Sequence, residues 1–273
     1  MKIDLNCDMG ESFGVYRLGH DEEVMPFVSS INLACGFHAG DPGTMVRTVR
    51  VARQYNVAVG AHPSFPDLVG FGRRTMSATP AEIKADTIYQ IGALWAICQS
   101  EGVALQHVKP HGALYNLAAS DIHTAAAIAE AIGAVDSELF MVCLAHSPMV
   151  EAASAAGIRY VEEAFADRAY TRMGTLVPRG TAGAVIHDPE MVAARVLSLV
   201  THQVLTSHDG VAIPIRAQTI CVHGDNPGAV AMTRLIRGRL DQQAVTVAPF
   251  GQRRSCTVCP LASQAIAGPA RPS

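Results

Sequence analysis

Long apolar runs are missing from this 273-residue chain, although 49% of its residues are apolar. No stretch approaches the roughly 18 residues that a membrane span needs. The opening "MKIDLNCDMGE" reaches Asp4 without the apolar core of a signal peptide. An excess of one charge is missing too: 21 Lys and Arg stand against 24 Asp and Glu, a net charge of −3 with no basic stripe. That balance argues against nucleic acid as the main partner. A cysteine framework is absent, since seven is an odd number and Cys7, Cys35, Cys143 and Cys221 lie in short apolar runs, as reduced thiols do. Cys256 and Cys259 in "SCTVCP" form a CxxC, but no second ligand pair follows to make a zinc site, and free thiols on a tail are the reading. Neither H-E-x-x-H nor the phosphate loop G-x-x-x-x-G-K-[ST] occurs. These absences leave a soluble, cytoplasmic protein with a large core.

Regular punctuation is what the sequence does contain. Asp41-Pro42, Thr79-Pro80, Ser147-Pro148, Asp188-Pro189 and Asn226-Pro227 each place a capping oxygen before a proline. The oxygen satisfies an orphan N–H at a helix start, and proline lacks only a donor unused there. Thr79 with Glu82 adds a capping box, Ile83, Ile91, Leu94, Trp95 and Cys98 follow at helical spacing, and Gly102 marks the stop. Between helices lie "KIDLNC", "SINLAC", "VAVGA", "VALQHV", "LFMVCL", "IRYVEEA" and "TICVH". Apolar strands alternating with amphipathic helices predict a parallel α/β fold, a (β/α) barrel of seven or eight strands, with an open doubly wound sheet as the alternative. Residues 1–248 read as one domain and 249–273 as a mobile C-terminal tail.

In such folds functional groups gather at the carboxyl ends of strands. Following each strand in turn gives Asp8, Glu11 and Ser12; His38 and Asp41; His62; Lys109 and His111; Glu163, Asp167 and Arg168; and His223 with Asp225. Some have plainer explanations: Asp41 as a helix cap, Asn6 as a bridge between strands, Asp225 as a turn former before Asn226-Pro227. Four strand-end histidines together are hard to dismiss as structural. Carboxylates with two or three histidines could hold a divalent metal that activates water. Alternatively, Lys109, Arg168 and Arg179 of "TLVPRG" could neutralise phosphate or carboxylate while His and Asp move protons.

The segments "IDLNCDMGESFG", "INLACGFHAGDP", "VGAHPSFPD", "FGRR", "HVKPHGALYN", "EEAFADRAY", "LVPRG" and "QTICVHGDNP", spread over roughly residues 1 to 240, resemble the LamB/YcsF family. The resemblance implies a barrel related to those of glycoside hydrolases and polysaccharide deacetylases. It further implies the role of the A subunit in a 5-oxoprolinase, a hydrolase opening the cyclic amide 5-oxo-L-proline (pyroglutamate) to L-glutamate with ATP as co-substrate and subunits B and C as partners. On that reading Asp8, His62, Lys109, His111 and Glu163 carry the chemistry. Glu11, His38, Asp167, Arg168, Arg179, His223 and Asp225 bind substrate or phosphate, and a bound metal is left open. A metal-dependent deacetylase or amidohydrolase, or a non-catalytic binding subunit, are the alternatives.

Overall fold

The computed structural model describes residues 1–223 and 228–251. Asp225, the Asn226-Pro227 pair, Cys256 and Cys259 lie outside the described residues. Strands β1 (Lys2–Met9), β2 (Ser30–Ala34), β3 (Ala58–His62), β4 (Leu105–Val108), β5 (Phe140–Leu144) and β6 (Arg159–Phe165) pair in parallel in that order. An insertion follows that holds an antiparallel hairpin, β7 (Val204–Thr206) and β8 (Ala212–Pro214). Strand β9 (Thr219–Val222) then pairs with both β6 and β1, closing a seven-stranded barrel. These seven are the seven apolar runs of the sequence, and closure decides against the open sheet. A short β10 (Thr246–Val247) pairs with Lys2 and Ile3 of β1 outside the ring. Beyond it Phe250 is buried against Val142, Val161 and Phe140, and Gln106 donates to the carbonyls of Phe250 and Gly251.

Helices α1 (Asp21–Val24), α2 (Pro42–Gln54), α3 (Pro80–Ser100), α4 (Gly112–Ala118), α5 (Ile122–Val135), α6 (Pro148–Ala155), α7 (Pro189–His202) and α8 (Ala229–Gln242) occupy the connections. The cap–proline device operates as expected where it is described. Asp41, Ser147 and Asp188 accept from backbone N–H groups of the first turn, and Thr79 and Glu82 form the reciprocal box. Ile83, Ile91, Leu94 and Cys98 of α3 are buried, but Trp95 is 41% exposed, one position off the buried stripe.

The strands differ from their reading as apolar on both faces. Side chains alternate along a strand, and in β1 Ile3, Leu5 and Cys7 enter the hydrophobic core while Asp4, Asn6 and Asp8 turn into the barrel. Asn32, Glu163 and Thr219 join them through side-chain hydrogen bonds across the lumen. The barrel is therefore filled by a polar column rather than by layers of aliphatic side chains. Its lowest member is Asp4, 1% exposed, whose carboxyl accepts from Ser29 Oγ at 2.6 Å, from Ser30 Oγ at 2.8 Å and from the Thr219 hydroxyl. Burial pushes its pKa up from 3.8 to about 6, and the three hydroxyls oppose that rise only in part. A carboxyl whose pKa rises on folding favours the folded state at low pH, and that contribution is lost as pH climbs through about 6. The wild type should therefore lose up to about 3 kcal/mol relative to Asp4→Asn between pH 4 and pH 7. Urea unfolding of both proteins across that range checks this, and a constant difference would refute it.

Candidate active site

The upper end of the column carries the reactive groups. Lys109 directly follows β4 and is 2% exposed. Its Nζ lies 2.9 Å from Glu163 Oε1, 3.1 Å from Asp8 Oδ1, 3.2 Å from Asn6 Oδ1 and 3.1 Å from Cys221 Sγ. Burial alone would favour a neutral amine, but the Asp8 and Glu163 carboxylates hold the pKa well above 10.5, so Lys109 is a fixed cation. Glu163 is fully buried and also accepts from Asn6 Nδ2 at 2.9 Å and Tyr115 Oη at 2.8 Å. Burial would likewise raise the Asp8 pKa, but His62 and Lys109 hold it well below 3.8, and Asp8 remains a carboxylate.

A second tier fixes these groups. Asn32 Nδ2 donates to Asp8 Oδ1 at 2.8 Å, so its Oδ1 must face His107 Nε2, 2.8 Å away, which donates to it. Burial, reinforced by Lys109, lowers the His107 pKa to about 3 and keeps the ring neutral. Gly60 makes room for that ring: a Cβ at position 60 would lie 2.1 Å from His107 Nε2. Asn32, His107 and Gly60 were not singled out in the sequence, where they sit inside apolar strand runs. For Asn32 the signal was available in "SINLAC", where Ser30 and Asn32 alternate with apolar neighbours.

Three histidines and a glutamate meet beside Asp8. His62 Nδ1 lies 2.7 Å from the Lys109 carbonyl and His111 Nε2 lies 2.9 Å from the Phe71 carbonyl. A carbonyl only accepts, so each of these nitrogens carries the ring proton. The other ring nitrogens, His62 Nε2 and His111 Nδ1, face each other at 3.0 Å. His38 stacks on His111 with ring centroids 3.8 Å apart and planes 2° from parallel. Glu11 Oε1 lies 3.6 Å from His38 Nε2 and 4.0 Å from His111 Nδ1. Ligand atoms of Glu11, His38, His62 and His111 all lie within 4.8 Å of one another, a grouping that could hold a metal ion.

Above this floor opens a cavity of about 710 Å³, lined by Asp8, Glu11, His62, Lys109, His111, Arg168, Arg179 and His223 among others. His38, Glu163 and Asp167 stand directly behind that wall through their contacts with His111, Lys109 and His223. Every predicted site residue within the described residues is thus in the cavity wall or touching it. His223 Nδ1 donates to Asp167 at 2.8 Å, which leaves its Nε2 to accept from Arg179 Nη2 at 3.0 Å. Arg168 lines the cavity and also holds its wall in place. Its Nη2 donates to the Val177 carbonyl at 2.7 Å and its Nε to the Ala184 carbonyl at 3.3 Å, which braces the insertion that walls the cavity. Arg73, not singled out among the candidates, also lines the cavity. Asp41 serves as the cap of α2 and accepts from Gly14 N.

A closed parallel barrel with a carboxylate, a buried lysine and histidines converging on one cavity defines a (β/α)-barrel protein equipped for acid–base chemistry. The chain belongs to the LamB/YcsF family, whose model matches residues 3–255. It is 53% identical over 250 residues to the 5-oxoprolinase A subunit of Symbiobacterium thermophilum, covering 92% of this chain and 96% of that protein. It is also 53% identical over 251 residues to the 5-oxoprolinase A subunit of Pyrococcus furiosus, covering 92% and 98%. The crystal structure of a lactam utilization protein from Thermus thermophilus superposes with a TM-score of 0.88 at 51% identity, covering 92% of this chain and all of that one.

Proposed function

We propose that this chain is the A subunit of an ATP-dependent 5-oxoprolinase, opening 5-oxo-L-proline to L-glutamate with hydrolysis of ATP to ADP and phosphate, in the cytoplasm and together with subunits B and C. The observation that carries this reading is the Asp8–Lys109–Glu163 assembly at the floor of the cavity, in a chain half identical to proteins of that name. Amide resonance makes a five-membered lactam a poor electrophile. Transfer of the γ-phosphoryl group to the lactam oxygen gives an imidate-like phosphate. Water then adds to that carbon, the C–N bond breaks as the nitrogen takes a proton to leave an acyl phosphate of glutamate, and a second water hydrolyses that acyl phosphate to glutamate and phosphate.

Each step has a matching group. Lys109 and Arg179 supply positive charge for the migrating phosphoryl group and the developing oxyanion. Asp8, an acceptor at neutral pH, takes the proton of the attacking water and, with His62 beside it at 3.3 Å, returns it to the leaving nitrogen. A cavity of about 710 Å³ is in the range that holds ligands far larger than a single lactam ring. The buried, unpaired thiols Cys7, Cys35, Cys98, Cys143 and Cys221 fit a reducing compartment.

A second reading, a metal-dependent amidohydrolase needing no nucleotide, draws on the Glu11–His38–His62–His111 grouping. One assay separates the two: glutamate formation from 5-oxo-L-proline by the purified chain, with and without ATP, then with subunits B and C added. No recognisable phosphate loop is present in the sequence, so the isolated chain should be a poor catalyst and the mixture an ATP-dependent one. Full turnover by the isolated chain would refute the shared site, and ATP-independent turnover would favour the second reading.

A further inference from the structure

We propose that Glu11, His38, His62 and His111 bind one divalent transition-metal ion of the zinc class at the floor of the cavity. The argument starts from unsatisfied atoms. His38 is 1% exposed, and neither of its ring nitrogens has a hydrogen-bond partner. Buried polar groups are nearly always paired, and an orphaned imidazole calls for an explanation. Its Nε2 points toward Glu11 Oε1 at 3.6 Å. Two further imidazoles each have one nitrogen committed to a backbone carbonyl, which aims their other nitrogens at each other across 3.0 Å. Two lone pairs at that distance repel unless a cation lies between or beside them. Fixing the second nitrogen of a histidine on a carbonyl is the arrangement that orients metal-binding imidazoles and sets their tautomer.

The spacing agrees with an ion of this class. Zinc–nitrogen and zinc–oxygen bonds of about 2.0–2.1 Å in a tetrahedron put ligand atoms about 3.3 Å apart. The separations here of 3.0, 3.6 and 4.0 Å bracket that value. Three imidazoles and one carboxylate select zinc, nickel, cobalt or iron over calcium or magnesium, which take oxygen ligands. Glu11, His62 and His111 also line the cavity, so an ion held here would stand at its floor as a Lewis acid. The rival occupant is a proton shared between His62 and His111, which would leave His38 still without a partner.

The test uses tag-free chain freed of metal with a chelator and titrated with Zn²⁺ or Co²⁺ by calorimetry, followed by metal analysis after gel filtration. One ion per chain is expected, with a rise in melting temperature on loading. Loss of a ligand should weaken binding by about 100-fold or more, above the 10–100-fold cost of losing an outer-shell partner. Both His38→Ala and Glu11→Gln should show this, while His202→Ala, on an exposed helix end, should bind as the wild type does. Glu11→Gln keeps the side-chain shape and decides the matter if His38→Ala fails to fold. Absence of binding would overturn the site. So would unchanged binding in Glu11→Gln, or binding lost only on changing Asp8 or Cys221 of the neighbouring Asp8–Cys221–His223 group. The readout is binding, so the site stands or falls independently of the 5-oxoprolinase reading.

Discussion

Lys109→Met should reduce turnover by about 100-fold or more and, unlike a surface substitution, lower stability at the same time. The catalytic loss follows from removing a fixed cation aimed at charge that develops in the transition state. The stability loss follows from burial. Met fills similar space, but Glu163 is fully buried and Asp8 is 13% exposed, and both ion-pair with this one ammonium. Breaking a buried ion pair by removing one partner typically costs about 3–5 kcal/mol, because the other charge is left uncompensated. The double variant Lys109→Met with Glu163→Gln should therefore recover much of the stability and none of the activity. Urea unfolding and ATP-dependent glutamate formation with the partner subunits measure the two effects separately. A single variant that turns over near the wild-type rate would remove Lys109 from the mechanism.

Asp8→Asn should cost about 10²–10⁴-fold in turnover, the range for loss of a positioned general base. The substitution keeps the shape and the hydrogen bonds. The amide oxygen can accept from Asn32 Nδ2 and Lys109 Nζ, while its NH₂ faces His62 Nε2, which lies 3.3 Å from Asp8 Oδ2 in the wild type. What is lost is the negative charge. His62 and Lys109 hold the Asp8 pKa well below 3.8 against the opposing effect of burial. The resulting stabilisation is present above about pH 4 and is lost as pH falls through the lower folded-state value. The stability gap between wild type and Asp8→Asn should thus be widest above pH 4 and narrow below it. A gap that grows on acidification, or near-normal turnover, would contradict the role of Asp8.

The seven strands and the proline-headed helices could be read from the chain because the forces that mark them are local. A cap such as Thr79 acts on an N–H three residues away, and a strand announces itself by β-branched residues between turns. The rule that parallel strands present function at their carboxyl ends then pointed to Asp8, Glu11, His38, His62, Lys109, His111, Glu163, Asp167 and His223 from the chain alone. Partnership was not legible, because it joins residues far apart in sequence. Asn6 meets Glu163 across 157 positions and Lys109 meets Cys221 across 112. Only barrel closure, with β9 returning to β1, turned the alternate polar residues of those strands inward onto one another. The fold also set Arg168 against the carbonyls of Val177 and Ala184. It fixed a donor nitrogen in His62, His111 and His223, since a ring's tautomer follows from the acceptor that the fold places beside it. The sequence by itself determined which groups reach the rim. The tertiary structure decided which of them are charged, paired or unsatisfied there, because those properties depend on burial and on neighbours that the chain brings together only when the barrel closes.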